Sequence, residues 1–146
     1  MKLEFEQNFV PEALNRELDF RLEANNMERF SQNFDNTEYV HVPEVYGKLC
    51  TERMLVMEYI EGENVSDIVA MNSGKYDLQM LARRCADVSL KSTLEQGFFH
   101  ADPHAGNLFI LPGNVICLLD FGMMGTVSVQ QQEKLAWLLY HLSRFD

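Results

Sequence analysis

The stretch His100-Ala101-Asp102-Pro103-His104-Ala105-Gly106-Asn107, followed by Asp120-Phe121-Gly122, decides the fold of this chain. Between these two motifs, apolar runs at 109–111 and 115–119 flank Pro112-Gly113-Asn114, which predicts a β-hairpin. A hairpin returns the chain to its starting point, so we expect it to fold Asp120 back beside Asn107. The sequence therefore predicts that two acids and an amide from separate loops share one site.

Asp102, Asn107 and Asp120 are suited to phosphoryl transfer. Such a site needs one carboxylate to receive or orient the proton of the nucleophile, and hard oxygen ligands to hold Mg²⁺ on nucleotide phosphates. The five-residue step from Asp102 to Asn107 matches the catalytic-loop pattern of kinases. In isolation Asp102-Pro103 is typical of a turn and Asn107 of a loop residue with left-handed backbone. The combination in this order indicates a phosphoryl-transfer site.

His100 and His104 flank Asp102 in an HxDxH cluster that a metal hydrolase could use. Mg²⁺ prefers oxygen ligands, however, so we expect the two imidazoles to support the loop by hydrogen bonding. Tight, stoichiometric zinc would favour the hydrolase alternative.

The spacing of apolar residues predicts helices over much of the rest of the chain. An amphipathic helix is expected from Pro11 to about Phe34, another from Tyr76 to Gln96 with Gly97 as its C-terminal cap, and another from Val129 onward. Ser66-Asp67 predicts a short helix through Met71. The last helix carries apolar side chains that have no later partner in the sequence, so we expect an uncovered face there.

Two further segments have extended character. Val40–Tyr46 contains Pro43, which favours an edge or the start of a strand, and Thr51–Ile60 predicts a second, better buried strand. Gly47-Lys48-Leu49-Cys50 lies between them, so we expect an antiparallel pair. The predicted fold class is α+β.

Composition excludes several classes of protein. The chain has 146 residues and a formal net charge of −10, which argues against broad binding to nucleic acid. Its three cysteines form no CxxC pair, so we expect buried, reduced thiols and neither a disulfide framework nor a structural zinc site. No apolar run approaches the ~20 residues that span a bilayer.

The motifs taken together resemble the UbiB family of atypical protein-kinase-like proteins. That family has HADPHPGN as its catalytic loop and DFG as its metal motif, and here the chain has HADPHAGN and DFG. Glu17-Leu18-Asp19 matches the ExD motif of the family, and Glu23 stands where the family has the glutamate of its C-helix. Leu55–Gly62, which reads LVMEYIEG, matches the strand and hinge that face adenine. The resemblance extends over nearly the whole chain.

The resemblance implies an incomplete two-lobed, protein-kinase-like fold. Residues 1–60 would be a remnant of the small lobe, and residues 61–146 part of the large lobe. Mg²⁺ and ATP are the implied cofactors. The resemblance implies that Asp102 is the catalytic acid, that Asn107 and Asp120 are metal ligands and that Glu23 pairs with a lysine. It implies that the Glu58 carbonyl and the Ile60 N–H contact adenine. Glu17 and Asp19 would face the nucleotide site, with a solvated helix face as their alternative.

The chain also departs from the family pattern. The lysine-containing KxGQ motif, the alanine-rich nucleotide loop and the strand lysine of the family precede the point where this sequence starts, so we expect a partial chain. Ala105 stands where the family usually has Pro, which loosens the loop slightly. No Ala-Pro-Glu segment follows Gly122. We expect five acids to converge on one cleft, where their mutual repulsion would make bound Mg²⁺ necessary for the structure. These acids are Glu17, Asp19, Glu23, Asp102 and Asp120.

By this resemblance we expect Mg-ATP-dependent phosphoryl transfer or ATP hydrolysis, linked to isoprenoid-quinone, especially ubiquinone, biosynthesis or to lipid homeostasis. Expected partners are a nucleotide and a lipid or quinone-precursor substrate, with other quinone-biosynthesis proteins and no nucleic acid. We expect a cytoplasmic, membrane-peripheral protein in a bacterium, with a mitochondrion or plastid as the alternative, and with any membrane association carried by segments outside this sequence. Two other functions remain open: a catalytically impaired nucleotide-binding or scaffolding module, and a small-molecule phosphotransferase of the aminoglycoside or choline kinase type.

Overall fold

A computed structural model describes residues 19–67 and 74–144. The helices, strands and shorter helical turns of these residues are, in chain order, α1 Phe20–Asn33, β1 Val40–His41, a 3₁₀ turn Gly47–Leu49, β2 Glu63–Asn64, α2 Leu78–Leu90, a π-helical turn Lys91–Glu95, β3 Phe98–His100, a 3₁₀ turn Ala105–Asn107, β4 Leu108–Leu111, β5 Val115–Leu118, β6 Met124–Thr126 and α3 Val129–Leu142.

The predicted hairpin is present and lies at the centre of a mixed sheet of order β1-β5-β4-β2. Strands β4 and β5 pair antiparallel, with Leu108 opposite Leu118 and Leu111 opposite Val115. The turn between them places Gly113 at φ 79° and Asn114 at φ 59°, a left-handed conformation that these two residue types adopt at low cost. The hairpin therefore returns the chain from Asn107 to the position of Asp120, as the sequence predicted.

A two-stranded sheet on the other side of the loop pairs β3 with β6. His100, the last residue of β3, lies opposite Met124, the first residue of β6. The Ala101 N–H extends this pairing by donating to the Met123 carbonyl at 2.9 Å. Because β3 leads directly into the Asp102 loop and β6 directly follows Asp120-Phe121-Gly122, the pairing holds the two acid-bearing loops side by side.

The hydrophobic core joins α1 to both sheets. Phe30 of α1 is buried, and its ring centroid lies 5.3 Å from that of Phe121, which is itself fully buried. The main buried cluster comprises Met27, Phe30, Phe34, Val88, Phe98, Leu118 and Phe121. A second cluster comprises Tyr76, Leu81, Ile110 and Ile116. Burial of Phe121 in the main cluster anchors the residue that follows Asp120.

The prediction of one helix running from Pro11 through Asp19 to Phe34 is wrong at Asp19. Asp19 has extended backbone angles (φ −105°, ψ 94°) and caps α1, whose first residue is Phe20. Its carboxylate accepts a hydrogen bond from the Arg21 N–H at 3.0 Å, as short acidic side chains do at helix N-termini. The part of that helix expected before Asp19 lies outside the described residues.

The prediction of a continuous, buried strand over Thr51–Ile60 is also wrong. Thr51 and Met54 pair with each other in a tight turn, and residues 51–54 are exposed. Antiparallel contact with the preceding segment, Val40–Tyr46, is nevertheless present, because the Tyr46 N–H donates to the Val56 carbonyl at 2.9 Å. The first residues of that segment, Val40–His41, pair in parallel with β5 instead. Since Thr51 bonds back to Met54, the chain at 51–54 cannot continue the ladder.

The remaining helix predictions have mixed outcomes. The helix expected over 76–96 spans α2 and the π-helical turn, and Gly97 follows it at φ 63°. The short helix expected after Ser66 falls mostly on residues 68–73, outside the described residues. Helix α3 is present, with Trp137 63% exposed, so its apolar face is uncovered as expected. All three cysteines are free thiols, and only Cys117 is fully buried.

None of the helices described is long and apolar enough to cross a membrane.

Candidate functional site

Asn107 and Asp120 meet at the open end of the hairpin. The amide Nδ2 of Asn107 lies 3.1 Å from Oδ2 of Asp120. The other carboxylate oxygen of Asp120, Oδ1, accepts the Gly122 N–H at 2.8 Å. The backbone supports this arrangement, because the Leu119 N–H donates to the Asn107 carbonyl at 3.1 Å. The structure thus brings together two of the residues that the sequence placed in one site.

His100 connects the two acid-bearing loops. Its Nδ1 accepts the Asp102 N–H at 3.1 Å, so in the neutral ring Nε2 carries the proton. Nε2 then donates to the Asp120 carbonyl at 2.6 Å. One imidazole therefore bonds the backbone of both acids, which confirms the expected supporting role of this histidine.

His104 supports the same site from within the loop. Its Nδ1 accepts the Gly106 N–H at 3.1 Å, so the proton of the neutral ring is again on Nε2. Nε2 lies 2.9 Å from the side-chain amide of Asn107. The direction of this contact depends on the tautomer of the ring, and the same Nδ2 donates to Asp120 Oδ2 at 3.1 Å.

Asn107 and Asp120 both carry side-chain oxygens, the type of ligand that Mg²⁺ prefers. Nδ2 of Asn107 donates to Oδ2 of Asp120 at 3.1 Å, so the amide oxygen Oδ1 takes no part in this contact. Asp120 is exposed and Asn107 half-buried, so both oxygens are open to a ligand.

Asp102 lies on the same loop with its carboxylate exposed. Its Oδ2 is 4.0 Å from His104 Nε2, and its side chain is 56% exposed. Its backbone is held on both sides, by His100 as above and by the His104 N–H, which donates to the Asp102 carbonyl at 2.8 Å. These contacts fix the backbone of Asp102 and leave its carboxylate open to solvent.

Glu23 reaches the site through a backbone contact. Its Oε1 accepts the Phe121 N–H at 3.2 Å. Burial raises the pKa of the Glu23 carboxyl, the Phe121 N–H partly offsets this, and the nearby charge of Asp120 raises the pKa further. Within residues 19–67 and 74–144 no lysine or arginine lies at ion-pair distance from Glu23. The lysine partner implied by the resemblance is therefore not seen in the described part of the chain.

No hydrogen bond joins the predicted hinge residues to this cluster within the described residues. The Glu58 carboxylate accepts hydrogen bonds from His41 Nε2 at 2.8 Å and from the Glu44 N–H at 3.1 Å. Burial acts to raise the pKa of Glu58, but these two donors outweigh it, and the net pKa is below its ordinary value. The Glu58 carbonyl and the Ile60 N–H have no hydrogen-bond partner among the described residues.

The two acids of the ExD motif are not brought to the cluster by any contact in the described structure. Asp19 caps α1 and bonds Arg21, which also pairs with Glu52. Glu17 lies outside the described residues.

Sequence reasoning missed two asparagines. Asn64 of β2 donates from Nδ2 to the Gly106 carbonyl at 2.7 Å, which holds the loop against the sheet. Asn26 of α1 donates from Nδ2 to the Phe121 carbonyl at 2.9 Å. Asn26 lies three residues after Glu23, so helical spacing could have placed both on one face. No local pattern indicated Asn64.

The fold thus brings the Asp102 loop and, through the hairpin, the Asp120 loop together beside Glu23 of α1. Residues 4–146 match the ABC1 atypical kinase-like domain, and the chain belongs to this family.

Similar sequences come from plants and bacteria. The chain is 39% identical over 136 residues to protein ACTIVITY OF BC1 COMPLEX KINASE 8, chloroplastic, of Arabidopsis thaliana, covering 92% of this chain and 18% of that protein. It is 34% identical over 134 residues to a probable protein kinase UbiB of Pseudomonas putida, covering 89% of this chain and 25% of that protein. The chain thus spans about a fifth to a quarter of the length of these relatives.

Solved structures support the kinase-like fold. Rv3197 from Mycobacterium tuberculosis, solved in complex with erythromycin, matches with a TM-score of 0.67 and 27% identity over 82% of this chain and 31% of that one. WbdD matches in fold with a TM-score of 0.53 and 22% identity over 95% of this chain and 30% of that one. The α+β, kinase-like fold predicted from the sequence is confirmed.

Proposed function

We propose that this chain forms the Mg²⁺- and nucleotide-handling part of an ABC1-type kinase or ATPase. The observation that carries the proposal is the approach of Asn107 to Asp120, held in place by His100. In this proposal Asp120 and Asn107 hold Mg²⁺ on ATP, and Asp102 orients the attacking hydroxyl or water. The ion would supply positive charge at the phosphates, where negative charge develops during transfer.

The adenine would bind at the hinge. The Glu58 carbonyl and the Ile60 N–H are an acceptor and a donor two residues apart, and neither has a partner in the described part of the chain. Unpaired backbone groups of this kind suit the donor and acceptor edge of a purine. In this proposal Glu23 orients the start of the Asp-Phe-Gly segment, and Glu17 and Asp19 border the nucleotide site and limit access to it.

The acceptor and the cellular setting follow from the family and are part of the same proposal. Relatives named UbiB and chloroplastic ABC1 kinases favour a role in isoprenoid-quinone biosynthesis or lipid homeostasis. A lipid or quinone precursor would then be the acceptor, at a bacterial or organellar membrane surface. We further propose that residues 1–60 belong to the small lobe and residues 61–146 to the large lobe.

The test measures nucleotide binding and turnover separately. Binding of ATP is titrated by calorimetry with Mg²⁺ and with chelator, and phosphate release is followed with Mg-ATP. We expect Mg²⁺ to tighten binding in the wild type. Asp120→Asn should abolish that gain, and Asp102→Asn should keep it while losing phosphate release. Asp35→Asn, the same charge change at an exposed turn residue, is the matched control. Binding that does not respond to Mg²⁺ in the wild type would contradict the proposal.

A second candidate is a nucleotide-binding module without turnover. It is favoured by the surroundings of Glu23, which accepts the Phe121 N–H and has no lysine or arginine at ion-pair distance among the described residues. Mg²⁺-dependent binding without phosphate release, equal in the wild type and in Asp102→Asn, would support this alternative. Phosphate release that Asp102→Asn abolishes would exclude it.

A further inference from the structure

Helix α1 holds both backbone polar groups of Phe121. Glu23 Oε1 accepts the Phe121 N–H at 3.2 Å, and Asn26 Nδ2 donates to the Phe121 carbonyl at 2.9 Å. The partners are 98 and 95 residues apart in sequence. The Phe121 ring is fully buried and lies 5.9 Å from His100, so the residue is held by its side chain as well.

The carbonyl that Asn26 holds belongs to the peptide unit that bonds Asp120. The Phe121 carbonyl and the Gly122 N–H are the two ends of one trans peptide, and in a trans peptide these groups point in opposite directions. Fixing the carbonyl towards α1 therefore aims the Gly122 N–H away from α1. That N–H donates to Asp120 Oδ1 at 2.8 Å.

The orientation of Asp120 follows from this chain of contacts. With Oδ1 occupied by Gly122, Oδ2 is the carboxylate oxygen that faces Asn107, at 3.1 Å from its amide. If the Phe121–Gly122 peptide rotated, the N–H would leave Oδ1 and the carboxylate could turn about its own bonds. The carboxylate is exposed, so packing alone does not fix its rotamer.

We propose that Asn26 is a positioning residue that sets the Phe121–Gly122 peptide and, through it, the carboxylate of Asp120. Asn26 touches neither the nucleotide nor the metal in this scheme. The proposal rests on the proposed function only in assigning Mg²⁺ to Asp120, and the peptide orientation itself is independent of that function.

Two variants and a matched control test the proposal. Asn26→Ala removes the donor, and Asn26→Asp keeps the size of the side chain while placing a carboxylate oxygen near the Phe121 carbonyl. Asn25→Ala is the control, because Asn25 is the exposed neighbour on the same helix. Asn26 is half-buried, so truncation leaves no large cavity and the variants should fold.

The first readout is hydrogen exchange of the Gly122 amide, measured by NMR on the nucleotide-free chain. We expect exchange at Gly122 to rise about tenfold in both Asn26 variants, which corresponds to one lost hydrogen bond of about 1.4 kcal/mol. Exchange at core amides such as Ile116 should stay unchanged, and Asn25→Ala should match the wild type. Unchanged exchange at Gly122, or an equal rise over all amides, would overturn the proposal.

The second readout is the Mg²⁺ dependence of ATP binding. Both Asn26 variants should need several-fold more Mg²⁺ for half-maximal tightening, with ATP affinity in chelator unchanged. An equal loss with and without Mg²⁺ would indicate general damage to the site and would overturn the positioning role. If the wild type shows no Mg²⁺ dependence, the proposed function fails, whereas the exchange experiment still decides whether Asn26 sets the peptide.

Discussion

His100 Nε2 lies 2.6 Å from the carbonyl oxygen of Asp120, and through this bond one imidazole links the two acid-bearing loops. The same ring accepts the Asp102 N–H on its other nitrogen. The imidazole therefore links the acid that would orient a nucleophile to the acid that would hold a metal, and it adds to the β3–β6 pairing that holds the two loops side by side.

His100→Ala should loosen this link. It removes a donor to Asp120 and an acceptor for Asp102, and a net hydrogen bond contributes about 1 kcal/mol, so we expect the free energy of unfolding to fall by about 1–2 kcal/mol. The Mg²⁺ dependence of ATP binding should weaken as well. Urea unfolding and calorimetry measure the two effects. His141→Ala, at an exposed position on α3, is the control and should stay within about 0.5 kcal/mol of the wild type. A full Mg²⁺ response in His100→Ala would contradict this role.

Ala105→Pro should stabilise the loop. Ala105 is the first residue of a 3₁₀ turn, and its N–H donates no hydrogen bond within the described residues. His104 before it is extended (φ −81°, ψ 155°), which is the conformation that a following proline favours. We expect a gain of about 0.4–1 kcal/mol, seen as a higher midpoint of urea unfolding.

The matched control for that change is Ala101→Pro. The Ala101 N–H donates to the Met123 carbonyl at 2.9 Å, so proline there removes a bond between the two loops. We expect a loss of about 1–3 kcal/mol. Equal effects of the two prolines on the midpoint would show that the loop geometry differs from the one described.

Gly125→Ala should destabilise the β3–β6 pair. Gly125 lies opposite Phe99, and an added Cβ would clash with Cζ of that ring. Overpacking of this kind costs about 1–3 kcal/mol, measurable as a lower thermal midpoint. Gly47→Ala is the control, since the nearest atom to its Cβ would be 3.9 Å away. Phe99→Leu combined with Gly125→Ala should recover part of the loss, and strictly additive losses would exclude the clash.

Cys117 should resist alkylation in the folded protein. Burial, followed by the charge of Glu58, raises the pKa of its thiol to about 12. Since the thiolate is the reactive form, iodoacetamide at pH 8 should modify half-buried Cys50 first and Cys117 last. Peptide mass spectrometry after timed quenching gives the order. Labelling of Cys117 as fast as that of Cys50, without denaturant, would contradict the burial described.

The local motifs were the most predictable part of the fold. Pro112-Gly113-Asn114 indicated the hairpin because glycine and asparagine adopt left-handed backbone at low cost, and the hairpin is present with the expected strands. The α+β kinase-like fold was predicted from short motifs whose order along the chain is specific, and this prediction was confirmed. The catalytic and metal roles of Asp102, Asn107 and Asp120 stay predictions, although the structure brings Asn107 and Asp120 together.

The errors arose where a single short-range hydrogen bond begins or ends an element. Thr51–Ile60 has the composition of a strand, yet Thr51 closes a turn onto Met54 and leaves only single bridges. Asp19 lies within a helical apolar pattern, yet its carboxylate caps the helix that follows it. Hydrophobic periodicity averages over several residues, so it does not detect a single side chain that ends or begins an element.

The sequence by itself indicated the family and the fold class and predicted the roles of the loop residues, because the spacing of acids, amide and glycines is a local property of the chain. Only the tertiary structure decided what orients those groups. Asn26 and Asn64 bond backbone carbonyls of Phe121 and Gly106, partners far away in sequence. Every residue has a backbone carbonyl, so the sequence does not indicate which carbonyl an asparagine side chain will bond. Only the folded backbone brings one particular carbonyl within hydrogen-bond distance of that side chain.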